Sequence, residues 1–168
     1  MSKTATYSLI ASYTTTGSVS TYTFSSIPST YTDIIVVANF QLSTETGFRG
    51  RVNGDTGSNY SLTNLGGNGT AASSGRESNA TNWVLGGFPT NASTAYDNNA
   101  IIHYMDYANT STYKTVINRF NSASKETMAN ANLWRNTAAI NSITLYVASG
   151  NFVNGSIFKL YGIQAGNA

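Results

Sequence analysis

The chain has no cysteine, which removes disulfides, thiolate metal sites and a cysteine nucleophile together. It has one histidine, His103, so a structural zinc site needing about four Cys/His ligands cannot be built from this chain alone. Charge is sparse, with nine Lys/Arg and seven Asp/Glu in 168 residues. That is 10%, where about 25% is usual. The net charge of +2 is too low and too scattered for a duplex-binding footprint, so no nucleic-acid partner is expected. The longest purely apolar run is Ile34–Ala38, far short of the ~18 residues a spanning helix needs, and no membrane partner is expected. Met1–Ala11 holds one lysine and no apolar stretch, so we expect no secretory signal. With these absences no cofactor is expected.

What fills the chain is hydroxyl and amide. There are 21 Ser, 23 Thr and 20 Asn, with 15 Gly besides. These residues favour turns, strands and short polar loops over helix interiors. Eleven Tyr and seven Phe supply a core, which argues against disorder. The length suits one domain, residues 1–168.

Period-two alternation dominates. In Asp33–Leu42, residues Ile34, Val36, Ala38, Phe40 and Leu42 share one face, and the other face starts apolar at Ile35 and Val37. A strand apolar on both sides belongs inside a sheet. Further strands are predicted at Thr6–Tyr13 (Tyr7, Leu9, Ala11 and Tyr13 on one face), Ser20–Ser25, Gly47–Val52, Trp83–Phe88, Asn99–Tyr107, Tyr113–Phe120, Ile140–Val147 and Ser156–Ile163. Asn53-Gly54-Asp55 predicts a tight hairpin turn after Gly47–Val52. Leu65–Gly75 and Pro89–Asn98 read as long loops, and Ser124–Leu133 as either a short helix or a strand. Eight to ten short strands with a turn signal about every ten residues predict an all-β fold, an antiparallel β-sandwich of jelly-roll type with at most one short helix.

Catalytic patterns are thin. A Ser-His-acid triad would have to use His103, which its phase places beside Ile101 and Met105, where a packed, hydrogen-bonded role is the simpler reading; no G-x-S-x-G elbow occurs. The seven carboxylates, Asp33, Glu45, Asp55, Glu77, Asp97, Asp106 and Glu126, form no i,i+2 pair on a strand face, as a glycosidase dyad on one strand would. Asn53-Gly54-Asp55 offers one carboxylate and no calcium loop. Gly66-Gly67-Asn68-Gly69 lacks the strand-to-helix context of a phosphate cradle. We therefore expect no enzyme. Arg49 and Arg51, at i,i+2 on one strand face, and Arg76 are the candidate charges for gripping a partner protein. Trp83, Tyr96 and Tyr104, with Trp134, are the candidate rings for a glycan platform.

A set of segments taken in order carries a resemblance. They are Tyr7-Ser8-Leu9-Ile10-Ala11-Ser12, Thr23-Phe24-Ser25-Ser26-Ile27-Pro28-Ser29-Thr30-Tyr31-Thr32-Asp33-Ile34, Asn59-Tyr60-Ser61, the run from Trp134 to Leu145, Gly150-Asn151-Phe152 and Gly155-Ser156-Ile157-Phe158-Lys159-Leu160-Tyr161-Gly162-Ile163. In this the chain resembles small β-rich virion proteins of tailed bacteriophages, of the capsid-decoration, tail or fibre-associated type. The match brackets residues 7 to 163, strongest at the two ends. The resemblance implies a structural protein on the virion surface, assembled in the host cytoplasm. Its partners would be the major capsid protein or other virion proteins. It supplies no catalytic residues. The leading expectation is a capsid decoration (cement) protein acting as a homo-oligomer; a trimer would match the local three-folds of an icosahedral shell. The alternative is a receptor- or glycan-binding tail-fibre tip. A glycan-cleaving enzyme ranks last. The loops at 65–75 and 89–98 are the expected contact regions.

Overall fold

The computed structural model describes residues 6–87, 92–95 and 98–164. Among them are twelve strands and no helix: β1 (Tyr7–Thr14), β2 (Thr21–Phe24), β3 (Asp33–Phe40), β4 (Phe48–Val52), β5 (Tyr60–Gly67), β6 (Ala72–Ala80), β7 (Trp83–Gly86), β8 (Asn98–Tyr104), β9 (Lys114–Ser122), β10 (Glu126–Trp134), β11 (Ile143–Val147) and β12 (Ile157–Ile163). Two antiparallel sheets result. One has eight strands in the order β1-β12-β3-β8-β9-β10-β5-β6, the other four in the order β2-β11-β4-β7.

Removing the hairpins β5–β6 and β9–β10 leaves β1-β12-β3-β8 facing β2-β11-β4-β7. That interleaved order is a jelly roll, so the expected fold class holds. The two hairpins are insertions that widen one sheet to twice the width of the other. The alternation that predicted β3 is observed: Ile34, Val36, Ala38, Phe40 and Leu42 are all buried, and β3 lies between β12 and β8. The core between the sheets is aromatic, with Phe24, Phe40, Phe48, Phe120, Phe152 and Phe158 packed among aliphatic residues. A β-carbon at Gly162 would collide with the ring of Tyr31, so only glycine fits there.

Several expectations are corrected. Leu65–Gly75 is not a loop; it is the end of β5, a tight turn and the start of β6. The Oδ1 of Asn68 accepts from the amides of Thr70 and Ala71 at 3.1 and 2.9 Å, and Gly69 has φ +86°. Because β6 is an edge strand with mostly exposed residues, it needs no apolar alternation, which is why it reads as a loop. Ser124–Leu133 resolves to strand β10 after a turn at 122–125. Tyr7 and Leu9 do not share a face with Ala11 and Tyr13. A bulge at Ile10 breaks the β1–β12 register, leaving Tyr7 and Leu9 exposed while Ala11 and Tyr13 pack on the core. Asn53 and Gly54 do take positive φ, 52° and 65°, but the turn passes the chain from one sheet to the other and closes no hairpin.

That crossing is bolted down. Asp55 accepts from the Trp134 indole at 2.7 Å, the Asn59 amide group at 2.8 Å and the Gly57 N–H at 2.7 Å. The Tyr60 hydroxyl donates to the Asp55 carbonyl at 3.0 Å. Burial alone would raise the Asp55 pKa, but these three donors hold it below the usual carboxylate value.

Candidate functional site

The residues singled out from sequence do not form one site. Arg49 and Arg51 lie on β4 of the four-stranded sheet, and Arg76 on the edge strand β6 of the other. Arg51 donates from Nε to the Thr81 carbonyl at 2.9 Å and stacks its guanidinium over Tyr146, 5.0 Å from the ring centre. Arg49 is half-buried; desolvation pushes its pKa down, partly offset by Tyr146 and Glu77. Arg76 is exposed.

The glycan platform is corrected. Trp83 and Tyr104 are core residues, 0% and 1% exposed, and present no ring face to a sugar. Trp83 packs edge-on to Tyr60 with ring centres 5.0 Å apart, and its indole donates to the Leu133 carbonyl at 3.1 Å. Burial pushes the Tyr104 hydroxyl pKa far up. Trp134 is buried on Asp55. Tyr96 lies outside the described residues, as do 89–91 and 97 of the second predicted loop.

The surface that does stand out is the outer face of the eight-stranded sheet. Strand register builds it in rows. One row runs Leu9, Tyr161, Ile35, His103, Ile117, Ala131, Thr63 across seven strands. The next runs Lys159, Val37, Ile101, Arg119, Ala129, Leu65. Tyr7 sits beside them. Large apolar residues on this face are open to solvent: Leu65 is 62% exposed, Leu9 58%, Tyr7 56%, Ile117 48% and Ile101 41%. Of the six large hydrophobics exposed among the described residues, only Tyr113 lies elsewhere. The face is concave. Two adjoining hollows of about 670 Å³ each share Leu65, Ile101, Arg119 and Ala129 in their lining.

Its polar groups are few. His103 Nε2 is 2.8 Å from Asp33 Oδ2, and Asp33 Oδ1 accepts the Asp106 N–H at 2.8 Å. His103 is thus hydrogen-bonded as expected, though on this open face and not within the core. Three other carboxylates hold the fold together: Asp55 as described, Glu126 on the Gly87 N–H at 2.7 Å, and Glu45 on Lys125 at 2.7 Å. Among the described residues no three His, Asp or Glu side chains gather as metal ligands.

Sequence reasoning missed Ile101, Ile117 and Arg119, while Leu65 opens the expected contact segment 65–75. A signal was present: Ile101 and Ile102 adjoin in β8, as do Val116 and Ile117 in β9, so both faces of each strand carry an aliphatic residue. No protein-family model matches the chain, and comparison with curated proteins finds no match.

Proposed function

We propose that this chain is a structural protein of a tailed-bacteriophage virion, a capsid decoration protein that docks through the outer face of its eight-stranded sheet. The observation that carries the reading is the exposed apolar surface spanning that sheet. A contiguous patch of this kind on a β-sandwich marks an interaction surface. At a strand spacing of about 4.8 Å and a rise of about 3.3 Å per residue, the face measures roughly 38 by 25 Å. Its roughly 950 Å² exceeds the ~800 Å² each partner contributes to a stable protein interface. The resemblance to phage virion proteins supports the same reading, with the major capsid protein or another virion protein as partner and the virion surface as location. A homo-oligomer, a trimer for a three-fold site, belongs to the same proposal.

The mechanism is additive burial. Each subunit covers apolar surface at about 25 cal/mol per Å² before the costs of association, and many copies together stiffen the shell. The tail-fibre-tip reading loses three of the four rings assigned to it, because Trp83, Tyr104 and Trp134 are in the core. Quantitative mass spectrometry of purified virions is the test. A copy number comparable to that of the major capsid protein supports decoration. A number comparable to a tail protein overturns the capsid placement, and none at all overturns the virion role.

A further inference from the structure

We propose that the groove around Arg119 takes an apolar segment of a partner protein that carries a carboxylate side chain. The proposal rests on the docking reading above and names the chemistry of the occupant. Arg119 is exposed at the middle of the sheet. Its cross-strand neighbours are Ile101 on β8 and Ala129 on β10, Leu65 follows one strand further, and Ile117 lies two residues back along β9. The two ion pairs among the described residues, His103–Asp33 and Lys125–Glu45, leave it out.

A lone guanidinium set among aliphatic side chains demands an anion once water is displaced. An unpaired charge buried under a partner is costly, whereas a carboxylate pairs with it through two parallel hydrogen bonds. Lys159 stands in the same cross-strand row, three strands away, or roughly 14 Å, and it too lies outside those ion pairs. Asp33, the acid on this face, is taken up by His103 and the Asp106 amide. The face is therefore apolar with a cationic bias. A second copy would bring one free cation against another, and a flat bilayer would not fill a concave groove. An acidic, apolar protein segment satisfies both features.

The test uses the full chain in an amide NMR titration. The probe is a capped nonapeptide alternating valine and glutamate, compared with the same peptide carrying lysine for glutamate. The glutamate peptide is expected to shift Leu65, Ile101, Ile117 and Arg119. Arg119→Ala is expected to weaken it about tenfold, the usual worth of a charge-assisted hydrogen bond. Thermal unfolding of that variant stays unchanged, because no hydrogen bond among the described residues uses the Arg119 side chain. Ile117→Ala is expected to weaken both peptides alike. Equal binding of the lysine peptide, or no groove shifts with glutamate, overturns the proposal. So do groove shifts that depend on protein concentration alone, which would assign the face to a second copy. Stronger groove shifts with phosphatidylglycerol vesicles than with the peptide overturn it as well. The virion count fails or succeeds separately: peptide binding without virion incorporation removes the proposed function and leaves the groove chemistry standing.

Discussion

The eight-stranded sheet has two halves whose inner faces follow different rules. One inner row runs Leu160, Val36, Ile102, then Asn118, Asn130, Asn64, by direct cross-strand pairing. The first three lie in the jelly-roll strands and pack on the aromatic core. The last three lie in the inserted hairpins, where the sheet overhangs its four-stranded partner and meets the edge strand β7. There the carbonyls of β7 have no further strand to pair with. Asn118 donates to the Leu85 carbonyl at 2.8 Å and Asn130 to the Val84 carbonyl at 2.7 Å, while Asn132 donates to Asn118 Oδ1 at 2.8 Å. All four asparagines are at most 5% exposed. Burial selects apolar side chains where two sheets face each other and amides where a sheet faces an edge.

The largest expected effect falls in the first half. Phe158→Ala removes a ring packed against Tyr13, Tyr22, Phe40 and Phe152, and should cost about 3–5 kcal/mol in a denaturant titration. In the second half, Asn118→Ala breaks two buried hydrogen bonds and should cost about 2–3 kcal/mol. Asn118→Leu sharpens the contrast. It fills the space but strands the Leu85 carbonyl, so it should destabilise about as much as alanine. A neutral leucine variant would break the rule drawn for the overhang.

This division explains what was legible in the sequence. The jelly-roll strands announce themselves by alternation, as in Asp33–Leu42 and in Ile143, Leu145 and Val147, because one face must be apolar. Of the inserted strands, β9 keeps part of that pattern in Val116 and Phe120, but β10 and β6 do not. In β10, Met128, Asn130, Asn132 and Trp134 all point inward, and the two asparagines in the middle erase the apolar period. In β6 almost nothing is buried, so glycine and serine are tolerated and the strand looks like a loop. Lys114 is a further case: it is 1% exposed, and its ammonium donates to the carbonyls of Thr112 and Thr137 at 2.8 and 3.0 Å. The outer face was hidden for the opposite reason. The alternation around Ile101 and Ile117 does not say which strand face is covered, Leu65 begins a segment that reads as a loop, and only the topology turns all three outward.

Asp55 fastens the crossing between the two regions, and it titrates. Its folded pKa is depressed, so it binds protons less readily in the native state than in the unfolded chain, whose value is near 3.8. The stabilisation is therefore complete above that value and is lost as pH falls through the folded pKa. Denaturant midpoints should drop as pH is lowered below about 4, and Asp55→Asn should flatten that part of the profile by removing its titration. A profile unchanged in the variant would mean that the Trp134, Asn59 and Gly57 contacts do not favour the charged form.

The smallest effect on stability is expected on the outer face, where function is proposed to lie. Ile117→Ser exchanges a side chain that is already 48% exposed for a small hydroxyl. It touches none of the inner rows, so the denaturant midpoint should move by no more than about 1 kcal/mol equivalent, the span of strand propensity. Docking should suffer instead, because the same side chain stands in the central row of the proposed interface, next to His103 and Ala131. The proposed interface thus separates stability and association on the two sides of one strand: Asn118 faces inward to the fold, and Ile117 faces outward to the proposed partner surface. A large loss of stability in Ile117→Ser would show that the outer row is covered within the folded chain itself, and the surface would no longer be free to bind.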